Sequence, residues 1–288
     1  MLGAIIGDIV GSVYEWNNIK TKDFIPFGKL GKNGFYTDDT VMTIAVSEAL
    51  MNGGTSDDFI DAFKKYGRFY PNAGYGGIFS KWIHSENRKP YNSWGNGSAM
   101  RVSPCAWFAS SLKEAEELAE RSAAVTHNHP KGIKGAKAVS AAIYLARTGK
   151  SKQEIKKYIE TKYRYNLSRT LDEIRPSYTF DVSCQGSVPE AIIAFLESSD
   201  FEDAIRNAIS LGGDSDTIAA ITGSIAEAYY GIPSEITERA FFFLDDRLSS
   251  AINRWLENGY PLGAVVKNEP DKSSDGPEFP ISQEVKNR

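Results

Sequence analysis

Two short segments of the 288-residue chain combine carboxylates and hydroxyls in nearly the same order. Residues 37–40 read Thr-Asp-Asp-Thr and precede an apolar run, and residues 214–217 read Asp-Ser-Asp-Thr and precede a run of small residues. Each segment is typical of a helix N-terminus, where the helix dipole favours negative charge. Four carboxylates brought together repel one another strongly unless cations lie between them. The pair of segments therefore predicts a site for hard divalent ions, with Mg²⁺ as the default in an all-oxygen site.

A third polar segment lies within the apolar first run of the chain, residues 3–15. Asp8, Ser12 and Glu15 follow at spacings of four and three, which places all three on one face of a helix. Glycines recur at positions 3, 7 and 11 beside this face. Because each glycine costs a helix about 1 kcal/mol relative to alanine, we expect them to allow close contact with another helix or a ligand. A solvated polar face is the alternative interpretation for Asp8 and Ser12.

Helix capping is the alternative interpretation of residues 37–40, because Thr37 or Asp38 would cap the following helix without binding any ligand. The repetition of the same chemistry at residues 214–217 argues against capping alone. Gly212 and Gly213 allow the sharp turn that leads into the second segment. Taken together, the three segments predict a binuclear site for hard metal ions.

Composition narrows the classes of function further. Asp and Glu number 37 against 33 Lys and Arg, for a formal net charge of −4, which offers no basic surface for sequence-specific binding of nucleic acid. The two cysteines, Cys105 and Cys184, are 79 positions apart, and there are only three histidines. These residues are too few and too scattered to predict a disulfide framework or a soft-metal site.

Targeting signals and membrane spans are not indicated. Residues 1–14 are apolar, but they lack a basic start, contain Asp8 and are too short to span a bilayer. No other stretch approaches the ~18 uncharged apolar residues of a spanning helix. We therefore expect a soluble, cytoplasmic protein with no membrane partner.

Helical periodicity dominates the chain. Residues 56–70 place their apolar side chains on one stripe, and capping boxes at 111–114, 151–154 and 170–173 mark further helix starts. Further predicted helices are 188–197, 201–210, 219–230 and a long run over 234–257, with Gly231 ending the third of these. Residues 178–182 are the best candidate for a strand. The sequence predicts an all-α fold of about ten or more helices.

One domain over residues 1–266 is expected, because no linker-like composition interrupts it. Residues 267–288 contain three of the twelve prolines and few large apolar residues, which predicts a flexible C-terminal tail.

Four motifs in a fixed order resemble the signature of the ADP-ribosylglycohydrolase family. They are GDIVGSVYE at 7–15, YTDDT at 36–40, GNGSAMR at 95–101 and SLGGDSDTIA at 210–219. The family includes dinitrogenase reductase-activating glycohydrolase and the eukaryotic ADP-ribosyl-acceptor hydrolases. The resemblance implies a compact orthogonal helical bundle with two Mg²⁺ ions in a central cleft, in agreement with the helical pattern.

The resemblance also implies roles for particular residues. The implied metal ligands are Thr37, Asp38, Asp39, Asp214, Asp216 and Thr217. Glu15 matches the mobile acidic residue of the family, and the implied catalytic groups are Glu15, Asp214 and Asp216. The implied substrate-binding residues are Gly76, Ser93, Trp94, Gly95, Asn96, Gly97, Ser98 and His127.

The function that this resemblance implies is Mg²⁺-dependent hydrolysis of the glycosidic bond between ADP-ribose and an acceptor. Residues 11–15 are closer to the branch acting on serine-linked ADP-ribose, O-acetyl-ADP-ribose and poly(ADP-ribose) than to the arginine-specific branch. Arginine side chains and nucleic acids also remain possible acceptors of the ADP-ribosyl group. A non-catalytic ADP-ribose-binding or structural protein and a di-Mg²⁺ nucleotide phosphohydrolase are the alternatives. We expect a monomer whose partner is an ADP-ribosylated macromolecule.

Overall fold

Helices make up nearly all of the regular structure in the computed structural model, which describes residues 1–27, 34–260 and 265–266. In chain order the elements of these residues are α1 (Leu2–Gly11), α2 (Asp38–Met51), α3 (Ser56–Phe69), α4 (Gly77–His84), α5 (Gly97–Met100), α6 (Ser103–Phe108), α7 (Leu112–Ala124), α8 (Pro130–Arg147), α9 (Lys152–Tyr163), α10 (Leu171–Ile174), α11 (Cys184–Leu196), α12 (Phe201–Ser210), α13 (Ser215–Tyr230), β1 (Ile232–Pro233), α14 (Ser234–Phe241), α15 (Asp246–Glu257) and β2 (Val265–Val266). The strands β1 and β2 pair in parallel over two residues. The predicted all-α fold is confirmed.

Many helices start where the sequence supplies a short polar side chain. In eight of them this side chain accepts a backbone N–H of the first turn, at Thr37, Thr55, Ser111, Ser151, Thr170, Ser183, Asp200 and Asp245. Such caps satisfy N–H groups that have no partner within the helix. The predicted capping boxes at 151–154 and 170–173 are confirmed, whereas the Glu114 side chain binds Ser110 instead of Ser111.

Helix α13 lies at the centre of the bundle, packed against α1, α8, α11 and α12. Residues 215–227 are all buried, and they are mostly Ala, Ile, Ser, Thr and Gly. Because their side chains are short, neighbouring helices can approach the α13 backbone closely on several sides.

The glycines of α1 form the closest of these contacts. A Cβ atom built on Gly7 would lie 2.1 Å from the carbonyl oxygen of Ala219, and one built on Gly11 would lie 2.5 Å from the Cα of Asp216. Both distances are too short for any real side chain, so α1 and α13 touch backbone to backbone. The expectation of close helix contact at these glycines is confirmed.

The first helix is shorter than the sequence predicts. It ends at Gly11, where the chain turns and the Tyr14 N–H donates to the Gly11 carbonyl at 2.8 Å. Glu15 therefore lies on a turn outside the helix. The prediction that Asp8, Ser12 and Glu15 share one helical face is wrong.

Three other predicted elements differ from the structure. The helix predicted over 188–197 begins at Cys184, because Ser183 caps it upstream and Pro189 lies inside it. The run over 234–257 is two helices, since the Asp245 side chain accepts the Leu248 N–H at 2.9 Å and starts α15 anew. Residues 178–182 form no strand, although Ser183 makes a single antiparallel bridge with Gly95.

No helix of the described residues is both long enough and apolar enough to cross a membrane. The tail predicted at 267–288 lies outside the described residues.

We predict that Gly7→Ala destabilises the fold, because the added methyl group meets backbone atoms of α13 that cannot move aside. Overpacking of this kind costs about 1–3 kcal/mol, and contact with backbone places Gly7→Ala at the upper end. Urea unfolding measures the loss. Gly77→Ala is the matched control, since a Cβ there meets nothing within 4 Å. Equal stability of Gly7→Ala and the wild type would show that the two helices do not lie in backbone contact.

Candidate active site

Asp8 fixes the N-terminus of α2, although it belongs to α1. Its carboxylate accepts the Thr37 N–H at 2.9 Å and the Thr40 N–H at 3.0 Å, and it accepts both threonine hydroxyls. The side chain is fully buried. Asp8 is therefore a cap supplied by another helix, and its four hydrogen bonds hold residues 37–40 against α1. Ser12 is also structural, because its hydroxyl donates to the Ile9 carbonyl and accepts the Phe35 N–H.

The predicted carboxylates from three segments do come together. Glu15, Asp214 and Asp216 each offer a carboxylate oxygen such that the three atoms lie within 4.8 Å of one another. Asp39 joins this group through the Thr217 hydroxyl, which donates to Asp39 Oδ2 at 3.2 Å. The N-termini of α2 and α13 and the turn after α1 thus form one acidic cluster, as the sequence predicts.

Asp39 is the member of this cluster with a buried oxygen atom that lacks a hydrogen-bond partner in the described part of the chain. Its side chain is buried, and its Oδ1 atom has no hydrogen-bond partner among the described residues. Burying a carboxylate oxygen without a hydrogen-bond partner costs several kcal/mol of folding free energy unless a proton or a cation binds to it. The donor set of carboxylates and threonine hydroxyls is the one that hard divalent ions prefer.

Burial and mutual repulsion shift the pKa values of the cluster in the same direction. Burial raises the pKa of Glu15 to about 7, and the Asp214 and Asp8 carboxylates contribute. Burial, with Asp8 and Asp214 nearby, raises the pKa of Asp38 to about 8. The pKa values of Asp39 and Asp216 are held well above their usual range, again by burial first and by neighbouring carboxylates second. Burial also raises the pKa of Asp214. The cluster therefore takes up positive charge readily.

A cleft of about 610 Å³ contains the cluster. Of the predicted substrate-binding residues, six line it: Gly76, Ser93, Gly95, Asn96, Gly97 and His127. Two others lie elsewhere. The Ser98 hydroxyl is buried and donates to the Gly132 carbonyl at 2.9 Å, and Trp94 is not among the lining residues.

Asn96 connects the glycine-rich loop, residues 93–98, to the acidic cluster. Its side-chain amide donates to Asp214 Oδ2 at 2.6 Å and to the Ser187 hydroxyl at 3.0 Å, while its backbone N–H donates to the Val182 carbonyl. Asp214 is thereby held in a fixed orientation. The family resemblance implies that Asn96 binds the substrate, whereas its contact with Asp214 joins residues 118 positions apart and is visible only in three dimensions.

Arg101, the last residue of the GNGSAMR motif, is a cleft residue to which the sequence analysis gave no role. Its guanidinium is buried against the Phe63 ring at 4.2 Å, and it donates to the Thr126 hydroxyl at 2.8 Å. Thr126 Oγ1 lies 2.8 Å from His127 Nδ1. A guanidinium can only donate, so the Thr126 oxygen accepts from Arg101. Toward His127 Nδ1 the hydroxyl can donate its own proton or accept with its second lone pair.

The surroundings of His127 disfavour its charged form. Burial, reinforced by Arg101, holds the pKa of His127 well below its usual value, so the ring is neutral. We expect Nδ1 to accept from Thr126, which places the ring proton on Nε2. A Cβ on Gly97 would lie 3.3 Å from this Nε2, so the atom faces the glycine-rich loop. We expect His127 to act there as a hydrogen-bond donor.

Comparisons with known proteins point to one family. The family model described as ADP-ribosylglycohydrolase matches residues 1–262. Human ADP-ribosylhydrolase ARH3 is 27% identical over 307 aligned residues, covering 81% of this chain and 84% of the human protein. ADP-ribosylarginine hydrolase Tri1 of Pseudomonas putida is 27% identical, covering 83% of this chain and 72% of Tri1. A solved chain from an ADP-ribosylglycohydrolase-related protein complex shares the fold, with a TM-score of 0.67 at 23% identity, over 88% of this chain and 95% of that one.

We predict that Thr126→Val removes the preference of His127 for one tautomer, because valine cannot donate to Nδ1. In the wild type, ¹⁵N NMR of the imidazole should show a protonated Nε2 and an unprotonated Nδ1. Thr126→Ser keeps the hydroxyl and should keep this signature. With only three histidines in the chain, the His127 signals are readily assigned by substitution. A protonated Nδ1 in the wild type would contradict the arrangement.

Proposed function

Because the chain belongs to the ADP-ribosylglycohydrolase family, we propose that it hydrolyses the glycosidic bond between ADP-ribose and an acceptor and releases free ADP-ribose. The observation that carries this proposal is the acidic cluster with its unpartnered Asp39 oxygen, opening onto the same cleft as the glycine-rich loop. Such a bond breaks through an oxocarbenium-like state, which needs a positioned ribose, an activated water and a protonated leaving group.

We propose two Mg²⁺ ions as the cofactor, because the donor set is entirely oxygen and its carboxylates crowd one another. The residues that would hold them are Thr37, Asp38, Asp39, Asp214, Asp216 and Thr217. Mg²⁺ bound there supplies Lewis-acid stabilisation of charge on oxygen and a lowered pKa for water.

The glycine-rich loop suits the diphosphate of the substrate. Its glycines let the backbone approach a ligand closely, and backbone N–H groups are good donors to an anion. His127 Nε2, facing Gly97, adds a neutral donor to the same region. These contacts would leave the distal ribose facing the carboxylates.

The chemical step requires groups that move protons and hold water. Asp214, oriented by the Asn96 amide, and Asp216, which accepts the Thr217 N–H at 2.9 Å, are positioned to orient a water molecule. Glu15 is half-buried on a turn at the edge of the cluster, outside any helix, and its carboxylate has a side-chain hydrogen bond with Trp16. We propose that Glu15 transfers the proton to the leaving group or gates the site.

We predict that ADP-ribose release from a mono-ADP-ribosylated peptide requires the cluster and a divalent ion. EDTA should abolish release and Mg²⁺ should restore it. Asp38→Asn should lower kcat/KM by more than the 10–100-fold that is typical for partners outside the first coordination shell. Asp57→Asn, at a largely exposed carboxylate of α3, is the control and should behave as the wild type.

The products decide between this function and its alternatives. Free ADP-ribose with an intact acceptor supports glycosidic hydrolysis. AMP or inorganic phosphate would show a phosphohydrolase instead, and binding of ADP-ribose without turnover would show a non-catalytic protein. Full activity in EDTA would contradict the metal-dependent mechanism.

A second prediction concerns stability and needs no substrate. Mg²⁺ at 100 times its Kd should stabilise the wild type by about 2.7 kcal/mol for each ion bound. Asp39→Asn should make the metal-free protein more stable than the wild type, because it removes one buried carboxylate from a repulsive cluster. The same substitution should remove most of the gain from Mg²⁺. Thermal unfolding with and without Mg²⁺ measures both effects, and a wild type that Mg²⁺ does not stabilise would contradict the site.

A further inference from the structure

Two aromatic side chains lie stacked and exposed at the cleft. The rings of Trp16 and Phe180 have their centroids 5.2 Å apart and their planes 17° from parallel. Trp16 is 78% exposed and Phe180 44% exposed, and both residues line the cleft that contains the acidic cluster. Val182 and Ile78 are further exposed apolar residues of the same lining. Large apolar side chains grouped in this way on a surface mark a binding site more often than isolated ones do.

One member of the aromatic pair lies next in the chain to the residue proposed to protonate the leaving group. Trp16 directly follows Glu15, whose carboxylate belongs to the cluster with Asp214 and Asp216. Trp16 is therefore the next residue after a group proposed for proton transfer, and Phe180 is joined to it by the stacking of the two rings. An acceptor bound for cleavage at the cluster would pass through the cleft that this pair lines.

Charge around the cleft restricts what this surface can bind. Its described lining includes five carboxylates, those of Glu15, Asp38, Asp39, Asp214 and Asp216, and no lysine. Its basic side chains, Arg101 and His127, are buried at the base of the cleft and engaged with Thr126. Apart from the proposed Mg²⁺ ions, an acceptor with a phosphate on every unit, such as a nucleic acid or an ADP-ribose polymer, would therefore find no exposed basic side chain among the described lining residues.

We propose that Trp16 and Phe180 bind an apolar side chain of the acceptor adjacent to the ADP-ribosylated residue, so that the enzyme prefers modified protein segments with apolar neighbours to polyanionic acceptors. The inference rests on the proposed hydrolysis of ADP-ribosyl bonds. Burying an exposed aromatic pair under an apolar side chain is favourable, and no charge needs to be paired.

The test compares two peptides that share one ADP-ribosyl linkage, chosen as the linkage on which the wild type is fastest, and two further substrates with other linkages. The first peptide carries leucine or phenylalanine beside the modified residue, and the second carries aspartate there. Poly(ADP-ribose) represents the polyanions, and O-acetyl-ADP-ribose represents an acceptor with no neighbouring residue. We expect the wild type to favour the apolar peptide over the acidic one by about 10-fold or more in kcat/KM.

Substitutions test whether Trp16 and Phe180 cause the preference for the apolar peptide. Trp16→Ala and Phe180→Ala should reduce kcat/KM for the apolar peptide to the level of the acidic peptide, with a much smaller effect on O-acetyl-ADP-ribose. Trp16→Phe should retain most of the preference. Phe242→Ala is the matched control, because Phe242 is 86% exposed but is not among the residues lining the cleft.

Each other outcome overturns the proposal in a recognisable way. Equal loss on the peptide and on O-acetyl-ADP-ribose would show that the pair acts on Glu15 or on the ADP-ribosyl group, which both substrates share, and not on the neighbouring residue of the acceptor. A wild type that favours poly(ADP-ribose), or that ignores the neighbouring residue, would show that the aromatic pair does not select the acceptor. Failure to release ADP-ribose from any of the four substrates would instead refute the proposed function, and this inference would fall with it.

Discussion

The backbone contact between α1 and α13 is the constraint on which the rest of the structure depends. Glycines at every fourth position of α1 remove the side chains that would keep the two helices apart. The contact runs from Gly3 beside Gly223 to Gly11 beside Asp216, so it ends at the first turn of α13. Because the chain turns immediately after Gly11, Glu15 is carried to the residues that begin α13. The packing of two helices thus sets the position of the acidic cluster.

The cluster itself opposes folding, and the structure compensates for it with directed hydrogen bonds. Asp8 is buried, but it accepts four hydrogen bonds from residues 37 and 40 and so caps α2. Asp214 is held by Asn96, and Asp39 Oδ2 by Thr217. These hydrogen bonds do not neutralise the negative charge of the carboxylates, and they leave Asp39 Oδ1 without a partner among the described residues. A scaffold that orients its carboxylates while leaving their charge unbalanced is suited to binding cations.

The sequence was sufficient to predict the parts that depend on local pattern. The glycine spacing of α1, the threonine cap of α2 and the carboxylates of 37–40 and 214–217 all have signatures within a few residues. It was not sufficient where the reason lies in a distant partner. Asp8 caps a helix other than its own, and Asn96 binds Asp214 from 118 positions away. The end of α1 at Gly11 and the extended path of 178–182 likewise depend on what packs beside them. Gly95 and Ser183 pair through one bridge only, and a single bridge is too short to be predicted from an alternation of polar and apolar residues.

The pairing of α1 with α13 also has a consequence for the order of events during synthesis. The Ser215 hydroxyl donates to the Gly11 carbonyl across 204 positions of the chain. At about 5–20 residues per second, α1 leaves the ribosome some 10 to 40 s before the helix that covers it. During that interval α1 can pack against α2, but its glycines lack the helix that they contact in the finished fold. The acidic cluster can therefore assemble only after most of the chain has been made.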